Sequence, residues 1–446
     1  MKIREHLSLL AVLCSMAMVV LDAGMLNVAL PTLSNALAVG PADIIWSVSA
    51  YQMALLVGLL PSAQLAERFG HRRMFVAGLM IYLAASVLCS VSPNLLALLV
   101  GRVFQGLGGA VIMALGIAIL RVVLGPDRLG KAIGWNALVV ALSSAAAPAL
   151  AAAILAAGSW QWLFLAKLPI GIVALAASIG FPPSNSTRSS IDGVAIVIHA
   201  ASAVLILFAF ERLNSQPAMA TVALVGVAGL ARWMIAREKM RQVPLWPVDL
   251  LANRPLRTAV YASVACFTAQ SAGLVALPLL LQLGLGTSVI DTAIVMMFWP
   301  VAVAVTAPIA GRLSERADPS ILCSIGGMLL GAGLLIACFS PASAGLSPYV
   351  AAAVVSGAGF GLFQVPNNRT MFLSAPPDRA AAAGGMQGSA RLSGQTFGTL
   401  LVGLLLGYYP TTDAVSLAVG LGGLSALVAS MVSFSNLPRF VQRHHA

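Results

Sequence analysis

Asp22 stands in the stretch VVLDAGMLNVALP (19–31), inside an otherwise apolar run that reaches from Leu7 to Leu30. Arg102 stands in a second such run, within GRVFQGLGGA (101–110). A charged side chain at the centre of a membrane helix costs about 2.5–3.5 kcal/mol on translocon scales, so each is expected to face the protein interior and find a partner. A carboxyl group that can shed its charge by taking up a proton tolerates such surroundings, which makes proton exchange the chemistry open to Asp22. A fixed Asp22–Arg102 pair of purely structural value is the plainer alternative.

A second constellation lies in AQLAERFGHRR (63–73), where Glu67, Arg68, Arg72 and Arg73 surround Gly70. Charge pairs between helix ends at a tight glycine turn can lock one arrangement of a helix bundle and release it in another. The small-x-Leu-x-Glu-Arg pattern returns 248 residues later in GRLSERADPS (311–320), with Glu315 and Arg316. Ordinary anchoring by basic residues would not require the Glu-Arg pair to recur, so these residues are expected to form a conformational latch.

Other chemistries find no support. GPDRLGKA (125–132) satisfies the start of a phosphate-binding loop, but Ala132 stands where magnesium needs Ser or Thr and no strand precedes it. H-E-x-x-H is absent. Cys14, Cys89, Cys266, Cys323 and Cys338 lie in separate apolar stretches without C-x-x-C spacing and read as packing residues. No enzymatic activity, metal or organic cofactor is expected.

The elements that must position these residues follow from composition. Of 446 residues, 59% are hydrophobic and 9% charged, against roughly 25% charged in soluble domains. This is the composition of a membrane protein. Apolar stretches near 8–31, 44–62, 75–93, 96–117, 132–156, 162–181, 193–210, 218–236, 258–281, 291–310, 320–340, 348–366, 385–408 and 414–435 predict an all-α membrane protein with fourteen transmembrane helices. The basic start and apolar run of MKIREHLSLLAVLCSMAM resemble a signal peptide, but no small-residue cleavage site follows, so the segment is expected to stay as the first helix.

A net charge of +11 is not a nucleic-acid footprint, because the basic residues occupy short gaps between apolar runs. With both termini placed in the cytoplasm, 21 of the 25 basic residues fall in inside segments. The four exceptions are Arg102 and Arg391 within helices, and Lys167 and Arg212, read as lying near outer helix ends. The repeat spacing divides the chain into a six-helix bundle (1–181), an inserted helix pair with a basic linker (182–257) and a second six-helix bundle (258–446).

At this point the chain resembles the major facilitator superfamily, in particular its fourteen-helix drug:proton antiporter branch. The likeness rests on LDAGMLNVALP (21–31), AQLAERFGHRR, GRVFQGLGGA and SWQWLFLAKLPIGIVAL (159–175), in that order. It implies that Asp22 and Arg102 serve proton coupling, with Asp22 gaining and losing the proton and Arg102 setting how readily it does so. The fifth helix departs from the branch: GWNALVVALSSAAAPALAAAIL (134–155) keeps Gly134 and Pro148 but has Ser143, Ala147, Ala151 and Ala152 where glycine is usual. Close packing and a proline kink are retained, while the inference to antiport rather than symport is weakened.

Polar and aromatic residues that interrupt apolar helices are candidates for a substrate cavity: Trp46, Tyr51, Gln52, Gln105, Asn136, Gln270, Trp299, Gln364 and Arg391. With Asp22 the one deep acid, amphipathic neutral or monocationic compounds are favoured over polycations. His199 reads as an interior polar residue, and Asp291 as a solvated acid at an outer helix end. The expectation is a monomeric secondary transporter of the inner membrane that exports small amphipathic compounds, driven by the proton gradient. Two other readings stay open: a carrier dedicated to one metabolite or natural product, and a non-transporting membrane sensor or assembly partner.

Overall fold

The computed structural model describes residues 3–183, 193–213, 216–238, 248–376 and 379–436. No strand occurs among them. Lipid offers no partners to backbone N–H and C=O groups, so an apolar chain of this kind must satisfy them within helices. The chain divides into two compact units, Met1–Ile196 and Val197–Ala446.

In the first unit the helices are α1 (Ile3–Ala36), α2 (Pro41–Ile44), α3 (Trp46–Phe69), α4 (His71–Ser90), α5 (Leu95–Leu124), α6 (Pro126–Ala157), α7 (Trp162–Leu165) and α8 (Leu168–Ala177). Their limits are written in the sequence. Asn94 caps α5 by accepting the Ala97 N–H at 3.0 Å, and Gly125, at φ 72°, separates α5 from α6. Gly70 joins α3 to α4 at φ 93° and ψ 135°, a conformation that a side chain resists. Pro169 has no N–H and its ring crowds the carbonyl four residues back, which divides α7 from α8 around Ala166 and Lys167. Within the unit α5 packs against α3 and α4, while α1 packs against α6, α8 and α5.

In the second unit the helices are α9 (Gly193–Arg212), α10 (Pro217–Glu238), α11 (Arg254–Leu279), α12 (Val289–Leu313), α13 (Pro319–Phe339), α14 (Ser347–Leu373), α15 (Ala380–Tyr408) and α16 (Thr411–Phe434). The first residues of α9 belong to the preceding unit. Ser288 and Asp318 cap α12 and α13 through their side chains, at 3.0 Å and 2.7 Å. Here α14 packs against α12 and α13, α11 against α15 and α16, and α13 against α16.

Thirteen described helical segments are long and apolar enough to cross a membrane, one fewer than the sequence stretches predict. The remaining long helix is α15, which carries Gln387, Arg391 and Gln395 among its apolar residues. The outer surfaces are apolar: Leu96, Val122 and Phe339 are exposed over 72%, 68% and 79% of their area. In α10, only 11% of the apolar window is buried. Such surfaces suit contact with lipid and not with water.

Candidate functional site

The first unit carries a cluster of charges away from solvent. Helix α1 brings Asp22, α5 brings Arg102 and Gln105 one helical turn apart, and the α7–α8 junction brings Lys167. All four are buried, with exposures of 2% for Asp22, 1% for Arg102, 0% for Gln105 and 2% for Lys167.

Arg102 Nη1 donates to Asp22 Oδ2 at 2.5 Å and to Gln105 Oε1 at 2.6 Å, and Arg102 Nε donates to the Ser47 carbonyl at 2.9 Å. Gln105 Nε2 donates to Asp22 Oδ1 at 3.2 Å and to Ser86 Oγ at 3.0 Å. Lys167 Nζ donates to Asp22 Oδ1. The carboxylate therefore accepts from three donors on three different side chains. The Arg102 guanidinium also lies over the Tyr51 ring, 4.2 Å from its centre, and Lys167 Nζ lies 5.1 Å and 5.8 Å from the ring centres of Phe164 and Tyr82.

Close approach of backbones makes this convergence possible. A Cβ on Gly106 would stand 2.4 Å from the Tyr51 carbonyl oxygen, and one on Gly108 2.6 Å from the Gly78 carbonyl oxygen. Only glycine lets α5 press this closely on α3 and α4 and set Arg102 level with Ser47 and Ser86.

An uncompensated charge in such a place costs several kcal/mol, and a pair offsets that cost only when its remaining hydrogen-bonding groups are satisfied. Here two cations meet one carboxylate. With all three groups ionised the cluster holds one excess positive charge.

Asp22 and Arg102 thus meet as an interior pair. Tyr51 and Gln105, expected to face a cavity, are packed within the same cluster. Lys167, read as a cation near an outer helix end, is a buried partner of Asp22, which the sequence reading did not expect. The signal was available in FLAKLPIG, because Pro169 breaks the helix two residues on and Lys167 lies six residues beyond Gln161, inside the apolar run.

The other expected residues lie elsewhere. Around Gly70, Glu67, Arg68 and Arg73 are exposed and Arg72 is half-buried, with Arg68 over the Phe69 ring at 5.7 Å. Glu315 and Arg316 are exposed in the turn that ends α12, and Arg369 of α14 donates to the Ser314 carbonyl there. In α6, Gly134 is exposed, and a Cβ there would meet nothing within 4 Å. Pro148 lies inside α6 beside Ala147, whose Cβ would be 2.5 Å from one built on Gly24 of α1. Trp46, Gln52, Gln364 and Arg391 are half-buried. Asn136 Oδ1, Gln270 Oε1 and Trp299 Nε1 are buried atoms without a hydrogen-bond partner in the protein. His199 is buried in α9, and Asp291 accepts from Ser288 Oγ at 2.7 Å in the first turn of α12.

Residues 12–399 and 259–441 match the sequence profile of the Major Facilitator Superfamily. The uncharacterized transporter YebQ of Escherichia coli (strain K12) is 38% identical over 431 residues, covering 96% of this chain and 94% of YebQ. The tetracenomycin C resistance and export protein of Streptomyces glaucescens is 28% identical over 408 residues, covering 90% of this chain and 75% of that protein. Among solved structures, a POT family transporter in complex with a thioalcohol-conjugated peptide superposes with a TM-score of 0.76 at 15% identity, covering 97% of this chain and 96% of the other, which is a likeness of fold.

Proposed function

The chain belongs to the Major Facilitator Superfamily, a family of multi-pass membrane transporters, and we propose that it exports small amphipathic compounds in exchange for protons by alternating access. The buried meeting of Asp22 with Arg102 carries this reading: charged groups enclosed in a membrane helix bundle are costly, and such groups mark ion pathways and proton relays. Export, and not uptake, is supported by the similarity to the tetracenomycin C resistance and export protein.

In this reading α15 makes the fourteenth crossing, its Gln387, Arg391 and Gln395 facing other helices and not lipid. The two units use the same order of helix pairing once α9 and α10 are set aside. Counting α2–α3 and α7–α8 each as one crossing, first with fifth, first with sixth, second with fourth and third with fourth occur in both, which supports two six-helix repeats flanking an inserted pair. The termini lie in the cytoplasm and the carrier sits in the inner membrane as a monomer. Glu67, Arg68, Gly70, Arg72 and Arg73, with Glu315 and Arg316, act as the latch. Asn136, Gln270 and Trp299, each with a polar atom awaiting a partner, are the first residues to assign to cargo.

The driving force suffices. One proton crossing about 100 mV contributes about 2.3 kcal/mol, enough to concentrate a neutral solute tens of fold. The test is flux in reconstituted vesicles under an imposed pH gradient with a panel of dyes and biocides. Movement against the proton flow supports the proposal; accumulation along it would establish symport. A response confined to one compound would favour the second reading, a dedicated exporter, which the single compound in the Streptomyces relative's name supports.

A further inference from the structure

We propose that Lys167, and not Asp22, takes up and releases the coupling proton. The inference rests on the proton-coupled reading above and assigns the proton to one atom within that site.

The argument is one of charge. Arg102 is always ionised. Protonating Asp22 would leave Arg102 and Lys167 as two buried cations with no anion, and would turn a carboxylate that accepts from three donors into a group with an O–H of its own to place. Releasing a proton from Lys167 has the opposite effect. The ammonium becomes a neutral amine, the Asp22–Arg102 pair stays closed through Arg102 Nη1, and Gln105 Nε2 still donates to Asp22 Oδ1. Among the three charged side chains, this transfer alone brings the cluster to neutrality.

Geometry agrees. Lys167 projects from the junction of α7 and α8, where the helix is interrupted, while Arg102 and Gln105 stand on an unbroken α5. The ionisable groups around it are Asp22 on α1, Tyr51 on α3, Tyr82 and Cys89 on α4 and Arg102 on α5. From Gly134 to Ala157, α6 carries none, and neither does the rest of 162–177. In the cycle, the Lys167 ammonium yields its proton to water on one side of the membrane. The amine takes one from water on the other side, so one Nζ–H bond breaks and re-forms in each cycle while the proton passes to and from a water oxygen.

The chain has four lysines, Lys2, Lys131, Lys167 and Lys239. Full-length protein labelled at lysine Cε and held in nanodiscs therefore gives four resonances, and the one missing from Lys167→Arg is that of Lys167. It is expected to move between ammonium and amine positions within the pH range over which vesicle transport of ethidium varies. A Lys167 resonance that stays fixed through that range, while wild-type vesicles couple ethidium to the gradient, overturns the proposal. A parallel flux experiment uses variants that are monodisperse in detergent. Lys167→Arg keeps the charge but cannot release it and is expected to lose gradient-driven ethidium accumulation; Lys167→His is expected to recover part of it with a displaced pH profile. Full accumulation by Lys167→Arg would mean a structural cation and would also overturn it. If wild-type vesicles move neither ethidium nor any other compound of the panel with the gradient, the reading of proton coupling fails, and the resonance alone then decides whether Lys167 titrates.

Discussion

Gln105 holds Asp22 and Arg102 together from the side: its amide nitrogen lies 3.2 Å from Asp22 Oδ1 and its amide oxygen 2.6 Å from Arg102 Nη1. The two charged residues, eighty positions apart in the chain, are thus bonded both directly and through one shared neutral side chain. That neighbour extends the cluster to Ser86 on α4 and makes α1, α4 and α5 depend on one another.

Removing the anion should be the most damaging single change in the cluster. Asp22→Asn leaves Arg102 and Lys167 buried without compensation, with an expected loss of about 3–5 kcal/mol. Thermal unfolding in detergent measures it. The double variant Asp22→Asn/Lys167→Met removes one excess cation as well and should lose clearly less than the two single losses added together.

Gln105→Leu keeps the volume and deletes the bridge. Asp22, Arg102 and Ser86 each lose a partner, and the expected cost is about 1–3 kcal/mol. Export by the variant in vesicles should become less responsive to the pH gradient, and comparing flux with and without the gradient separates that effect from reduced stability.

Packing predictions differ between two glycines. Gly106→Ala drives a methyl group into the Tyr51 carbonyl and should cost about 1–3 kcal/mol. Gly134→Ala meets open space in a helix and should leave stability unchanged or raise it by up to about 1 kcal/mol. Equal melting shifts for the two would contradict the close approach of α5 to α3.

At the α3–α4 turn, Gly70→Ala must place a side chain at φ 93°, at an expected cost of about 1–3 kcal/mol. If the turn is also a latch, export should fall further than the same loss of stability causes at Gly106, as paired melting and flux measurements on both variants would reveal.

How much of this was legible beforehand depended on contrast with the surroundings. Asp22 stands near the middle of a long apolar run, where a charge admits few explanations, and Arg102 is marked by the glycine-rich pattern GRVFQGLGGA around it; their pairing follows from the cost of leaving either alone. Lys167 falls near the start of a run, where cations commonly reach an interface, so its burial was legible only through Pro169, two residues on. Tyr51 and Gln105 were recognised as polar interruptions, but one-dimensional spacing does not tell a cavity wall from a packed seam. The fourteen apolar stretches were visible by length, while in α15 the polar residues Gln387, Arg391 and Gln395 lower the hydropathy that such a reading depends on. The turn at Gly70 was local enough to read directly, whereas the single stretch 162–181 passed over the break that precedes Pro169.

The backbone contacts at Gly106 and Gly108 press α5 against α3 and α4, so Arg102, Ser47 and Ser86 form a close-packed socket. Asp22 and Lys167 enter it as the plug, riding on α1 and on the broken α7–α8 segment, which pack against each other. If this plug moves in the proposed transport cycle, a small molecule or peptide wedged between α1 and α8 would jam it without occupying the seat of the cargo. Inhibition of that kind would persist however much cargo was supplied.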